Sequence, residues 1–156
     1  VNGLVDVVSG LKGKAPATID AKGRVSLPAK YRRLLPEDLV ITKSPDDEFP
    51  ALVIYTSSGF NSWMDEVLES KGGYTPTDKT HDRIIEKYHE NAEDVKVDGV
   101  GRILIPNELR DYAQIDKDVV FSGVRNHLIV RSVAVWEDYQ KALVEVTAYD
   151  KTPNQA

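Results

Sequence analysis

The chain repeats itself. Ile19-Asp20-Ala21-Lys22-Gly23-Arg24-Val25-Ser26-Leu27-Pro28 aligns with Val97-Asp98-Gly99-Val100-Gly101-Arg102-Ile103-Leu104-Ile105-Pro106, so that aspartate, glycine, arginine and proline recur at a constant offset of 78 residues. Arg32 and Arg110 keep the same offset. Apolar runs follow in each half, first Leu39–Thr42 and Val119–Phe121, then Ala51–Tyr55 and Leu128–Arg131. From Leu52 and Leu128 onward the offset is 76, which reads as a loop two residues longer in the first half. A repeated unit of a few short strands cannot bury its apolar face alone and is expected to pack against its copy.

Each unit reads as strand, tight turn, strand, short helix, two strands and a closing helix. Asp-x-x-Gly-Arg lies between two apolar stretches, and glycine supplies the positive φ that such a turn needs. Val25 and Leu27 alternate with Arg24 and Ser26, the period of a half-buried strand. Pro28 and Pro106 stand where a first helical residue is expected, because proline there loses only an orphaned donor. The short helices are expected over Ala29–Leu34 and Asn107–Ala113. Closing helices place Phe60, Trp63, Val67 and Leu68, and Trp136, Tyr139, Leu143 and Val146, on apolar stripes for a core or subunit contact. A further helix, about Thr77–Asn91, joins the halves with Ile84, Ile85 and Tyr88 inward.

The expected class is α+β and β-rich, with duplicated β-hairpin/short-helix units forming one pseudo-two-fold β-barrel flanked by helices. The expected organisation is an N-terminal extension (1–10), a first repeat (11–70), a helical linker (71–94), a second repeat (95–148) and a polar tail (149–156).

Charge divides along the chain. Residues 1–43 hold eight basic and four acidic side chains, while the whole chain carries −5. The acidic total argues against a nucleic-acid partner, whereas the segregation suggests one face for a polyanion. Chance clustering on a solvated surface is the other reading. No cysteine is present, which excludes a disulfide framework, thiolate zinc and a cysteine nucleophile. No apolar run approaches membrane-spanning length, and Val1–Leu11 lacks the basic start and apolar block of a signal peptide. A soluble, intracellular protein is expected.

Two Asp-x-x-Gly-Arg motifs in register, each followed by a short β-stretch and proline and separated by a helical insert, resemble the MraZ family of the AbrB-like, swapped-hairpin DNA-binding group. The resemblance covers about Leu11 to Val146, including Leu11-Lys12-Gly13 and Ala29-Lys30-Tyr31-Arg32. It implies an AbrB/MraZ-like fold and a sequence-specific transcriptional regulator of the division and cell-wall gene cluster. Such a regulator binds direct repeats in its own promoter as a ring-like homo-oligomer, in the cytoplasm at the nucleoid. The extra residues before Leu11, the acidic Ser44–Pro50 loop and Arg131, in a place often aromatic, depart from the family pattern.

The residues themselves suggest how duplex DNA is met. Arginine presents a planar fork suited to phosphate or to guanine O6 and N7. Aspartate four residues earlier can hold that fork in one rotamer; alternatively, Asp20–Arg24 and Asp98–Arg102 are fold-locking pairs within their hairpins. Lys22, Lys30 and Arg32 favour the first half as the DNA face, with Arg24 as the base contact and Lys12, Lys14 and Lys22 at phosphates. Asp20, Gly23, Asp98, Gly101 and Arg102 are the structural motif residues, and the second half, with Val100 in its turn, is the scaffold.

No cofactor, metal, membrane or small-molecule substrate is expected. His81, His89 and His127 read as surface histidines, and no phosphate loop or nucleophile elbow is visible, so the chain is not expected to be an enzyme. The competing reading is a protein-interaction module such as an AbrB/MazE-like antitoxin.

Overall fold

The computed structural model describes residues 8–73 and 77–150; residues 1–7 of the expected extension and 151–156 of the expected tail lie outside the described residues. Its elements run β1 (Lys14–Thr18), β2 (Arg24–Ser26), α1 (Ala29–Arg32), β3 (Asp38–Lys43), β4 (Leu52–Thr56), α2 (Ser57–Glu69), α3 (Lys79–Glu90), β5 (Ala92–Lys96), β6 (Arg102–Leu104), α4 (Asn107–Tyr112), β7 (Asp118–Val124), β8 (His127–Ser132) and α5 (Val133–Asp150). The chain is thus α+β, with each half running strand, strand, short helix, strand, strand, helix.

The halves are interleaved. One antiparallel sheet has the order β1-β7-β8-β4-β3-β5, and a separate ribbon pairs β2 with β6. Exchanging each strand for its repeat partner turns that order into its own reverse. A pseudo-two-fold axis therefore passes the Val53–Ile129 pair and, in the ribbon, the Val25–Ile103 pair. The first strand of each half is bonded in the other half: β1 to β7, and β5 to β3.

The sheet itself is open, not the closed barrel expected, because β1 and β5 end it instead of pairing with each other. Each edge strand runs on into a turn and then into the ribbon, which takes the closing position; the Ile19–Val25 bridge marks the passage in the first half. Pro16 suits β1 because an edge strand has one unbonded side.

Register corrects the repeat arithmetic. Thr18 faces Asp118 and Lys96 faces Asp38, so β3 and β7 correspond at an offset of 80. Since β4 and β8 correspond at 76, the β3–β4 connection is four residues longer than its counterpart, offset by two residues added around α4. Helix α4 has six residues against four in α1, which accounts for that insertion. Pro28 and Pro106 are the caps preceding these helices rather than their first residues, with extended ψ angles of 138° and 146°.

One core serves both halves. Ile19, Val25, Leu27, Tyr31, Leu39, Ile41, Leu52 and Ile54 are buried, and so are their repeat partners Val97, Ile103, Ile105, Leu109, Val119, Phe121, Leu128 and Val130. A second cluster lies on the other face of the first half's strands, where Val40, Val53 and Tyr55 meet Phe60 and Met64 of α2, with Trp63, Val67 and Tyr88 against them. Helix α3 starts at Asp78, whose carboxylate accepts from Thr80 N–H (2.8 Å) and His81 N–H (3.4 Å). His81, expected at the surface, is only 7% exposed because it lies in the first turn of that docked helix. In α5 the expected inward stripe is half correct: Trp136 and Tyr139 are half-buried, while Leu143 and Val146 are exposed.

A shared core predicts one cooperative unfolding transition for the whole chain and no folded state for residues 8–73 expressed alone, read by near-UV circular dichroism. Ile103→Ala, at the ribbon's centre, is expected to cost about 2–5 kcal/mol in urea denaturation.

Candidate nucleic-acid interface

The repeated motif forms two turns with the same bonding. In the first, Asp20 Oδ1 accepts from the N–H groups of Lys22 and Arg24, both at 2.9 Å, and Oδ2 accepts from Arg24 Nε at 2.8 Å. In the second, Asp98 Oδ1 accepts from Val100 N–H (3.0 Å) and Arg102 N–H (2.9 Å), and Oδ2 from Arg102 Nε (2.9 Å). Backbone bonds close each turn, from Gly23 N–H to Asp20 O (2.9 Å) and from Gly101 N–H to Asp98 O (3.0 Å). Gly23 and Gly101 have φ of 90° and 86°, which a side chain would strain.

The aspartates therefore shape the turns, and the same bonds aim the arginines. Each arginine gives its Nε to the carboxylate, while neither of its Nη groups is bonded within the described residues. Both guanidinium side chains are 36% exposed, so these are not the buried pairs whose rupture strands a charge. One arrangement thus ties each arginine to its turn and leaves its Nη groups unbonded among the described residues.

The ribbon brings the two arginines together. Arg24 lies opposite Leu104 and Ser26 opposite Arg102, so these four share one face while buried Val25 and Ile103 share the other. Arg24 and Arg102 are diagonal neighbours across the ribbon, a relation that sets Cα atoms about 7–8 Å apart. Nothing in the bonding of the two pairs separates a reading arginine from a supporting one.

A second pair of arginines crosses between the halves. The Arg32 guanidinium covers the second turn, so close that a methyl group built on Gly101 would stand 2.5 Å from its Nη1. Reciprocally, Arg110 covers the first turn, where a methyl on Gly23 would stand 2.9 Å from its Cζ. Arg110 also donates from Nε to Ile105 O at 3.1 Å. Arg110 thus belongs to the cationic cluster of Lys22 and Arg24, although the sequence reading left it with the scaffold half; its recurrence with Arg32 was the available signal. Arg32, expected beside Arg24, stands instead at the Asp98–Arg102 turn.

The remaining expected contacts lie elsewhere. Lys14 begins β1 and the Asp20 turn follows its far end, about 20 Å away at roughly 3.3 Å per residue. Lys14 Nζ sits 5.3 Å from the Trp136 ring centroid. Lys30 Nζ donates to Lys14 O at 2.9 Å and lies 5.1 Å from the Tyr31 ring. Lys12 is exposed beside them, next to the Leu11–Arg125 bridge. Of the expected DNA-binding residues, Lys22, Arg24 and Arg32 gather on the ribbon and its turns, whereas Lys12, Lys14 and Lys30 form a separate group. Among the described residues, no group of histidine, aspartate and glutamate side chains could hold a metal ion, and no helix is long and apolar enough to cross a membrane.

A family model described as MraZ protein, antitoxin-like, matches residues 89–154. The chain is 39% identical over 133 residues to the transcriptional regulator MraZ of Caldanaerobacter subterraneus subsp. tengcongensis, covering 85% of this chain and 87% of that protein. It is 39% identical to the transcriptional regulator MraZ of a Thermoanaerobacter species, over 83% of this chain and 85% of the relative. The corresponding protein of Natranaerobius thermophilus is 35% identical over the same shares.

The turn carboxylates titrate predictably. The N–H of Arg24 above all, with its guanidinium and the N–H of Lys22, holds the Asp20 carboxyl below its ordinary value of 3.8, and Arg102 and Val100 do the same for Asp98. The stabilisation is complete above that value and is lost as pH falls through the lowered folded midpoints. Carbon-detected NMR should place both midpoints under 3.8; midpoints at the ordinary value would mean that the carboxylates do not hold the turns.

Proposed function

The chain belongs to the MraZ family of transcriptional regulators, and from that membership we propose that the ribbon face carrying Arg24 and Arg102 reads duplex DNA in the major groove. The observation that carries this reading is the pair of outward guanidinium groups, each aimed by its own aspartate through Nε with both Nη groups free of protein bonds among the described residues. A two-stranded ribbon fits the major groove, and the fork of an arginine matches guanine O6 and N7. Lys22, Arg32 and Arg110 flank the arginines and meet phosphates, which position the protein without reading sequence. Lys12, Lys14 and Lys30 reach phosphates of a neighbouring stretch of DNA.

In this reading the chain acts as a binding protein, not an enzyme, in the cytoplasm at the nucleoid. Its target is the promoter of its own division and cell-wall gene cluster, where direct repeats are met by a ring of identical subunits. The few cations of one ribbon bind weakly at physiological salt, and several copies facing several repeats raise avidity by about 10²–10⁴. The exposed Leu143, Val144 and Val146 of α5 support contact between copies. The antitoxin-like description of the family model keeps a protein partner as the second reading, for which the same exposed apolar residues of α5 are the supporting observation.

Fluorescence anisotropy with the DNA upstream of the chain's own gene, against a scrambled fragment, tests the proposal. Arg24→Ala and Arg102→Ala are each expected to weaken preferred binding about 5- to 150-fold, the worth of one bidentate base contact, with melting temperature nearly unchanged. Lys22→Ala is expected to weaken binding to both fragments and lower the salt slope by about one. Equal binding of both fragments by the unaltered protein would sink the sequence-reading role.

A further inference from the structure

The outer face of the ribbon is two-fold in backbone and in its arginines, but not in the residues beside them. Lys22 in the first turn corresponds to Val100 in the second, and Ser26 in β2 corresponds to Leu104 in β6. Val100 and Leu104 are 64% and 54% exposed. A lone exposed apolar residue is ordinary. These two belong to one turn and the strand it starts, with Arg102 between them in sequence, and Leu104 stands directly opposite Arg24. The outward direction of Leu104 is set by the alternation of β6, since Ile103 between Arg102 and Leu104 is 1% exposed, while Val100 stands exposed in the turn that leads into the strand.

We infer that Val100 and Leu104 are specificity-determining residues that cover the 5-methyl groups of thymines next to the guanines met by the arginines. The inference rests on the DNA-binding reading above and adds to it the class of base recognised. Thymine is the base that offers an apolar group in the major groove, and a small aliphatic side chain is its match. That methyl stands out from the base edge, so a leucine meets it while the longer arginine beside it reaches the deeper O6 and N7 atoms. Lys22 and Ser26 at the corresponding places make no such contact: one is drawn to phosphate, the other to a polar base edge. The face therefore distinguishes the two directions along a duplex, because methyl groups are read under the second turn and not under the first. Two equal arginines alone would leave the protein free to bind either way round.

The test uses one promoter fragment amplified twice, once with thymidine and once with deoxyuridine, which keeps the pairing edge and loses the methyl. The unaltered protein is expected to bind the deoxyuridine fragment about fourfold more weakly for each methyl it covers. The double variant Val100→Lys with Leu104→Ser, which copies the first half's residues into the second, is expected to bind both fragments alike. Comparing the two proteins on the same two fragments removes the effect of the missing methyls on DNA shape. Equal binding of both fragments by the unaltered protein, with Arg24→Ala still weakening the preference over scrambled DNA, would overturn the methyl contact and leave the DNA reading standing. A double variant that keeps the methyl preference but changes oligomeric mass would also overturn it, assigning the patch to contact between copies. No preference for the promoter by any of the proteins would instead remove the DNA reading on which the inference rests.

Discussion

The exchange of first strands between the halves is the constraint on which the rest of this structure depends. Because β1 is bonded to β7 and β5 to β3, neither half owns a complete sheet, and burying the apolar faces of one requires the other. The same exchange carries the chain from β1 and β5 into their turns at the open side of the sheet. There β2 and β6 pair with each other as a separate ribbon. Val25 and Ile103 then face inward into the common core, which turns Arg24 and Arg102 outward together. The position of the site is a consequence of how the core is closed.

Local chemistry then makes the turns rigid without hiding the arginines. An aspartate with three donors around its two oxygens fixes two backbone N–H groups and one guanidinium nitrogen, and the pair stays exposed enough that solvent screens it. Arg32 and Arg110 lie across the glycines of the opposite turns, so each half also braces the other half's motif. Glycine is required there twice over, for its positive φ and for the room that the guanidinium takes.

The pseudo-symmetry is broken where each half meets different surroundings. In the first half α3 brings Tyr88 to Trp63, with ring centroids 5.1 Å apart, and His89 to Phe60 at 5.3 Å, covering α2. No helix of the second half corresponds to α3 among the described residues, and α5 leaves Leu143 and Val146 exposed. The longer β3–β4 connection partly compensates: Phe49 packs edge-on against Tyr139 at 5.3 Å, and the buried Arg131 stacks 3.8 Å from the same ring.

The duplication, the strand and helix order of each unit, the turn glycines and the Asp–Arg pairs were all legible in the amino-acid order, because each depends on residues a few positions apart. Alternation placed Val25 and Ile103 inward for the same reason. What stayed illegible involves partners far apart in the chain: the open sheet, the true length of the extra β3–β4 loop, and the burial of His81. The clasp of Arg110 on Gly23 spans 87 positions, and Lys14 and Arg24, only ten positions apart, are drawn to different places by the strand between them. Sequence alone determined that two like units exist and what their turns look like, since hydrogen bonding within five residues decides that. Only the tertiary structure decided which half supplies each cation to each turn, because strand exchange sets those neighbours through a core that both halves must build together.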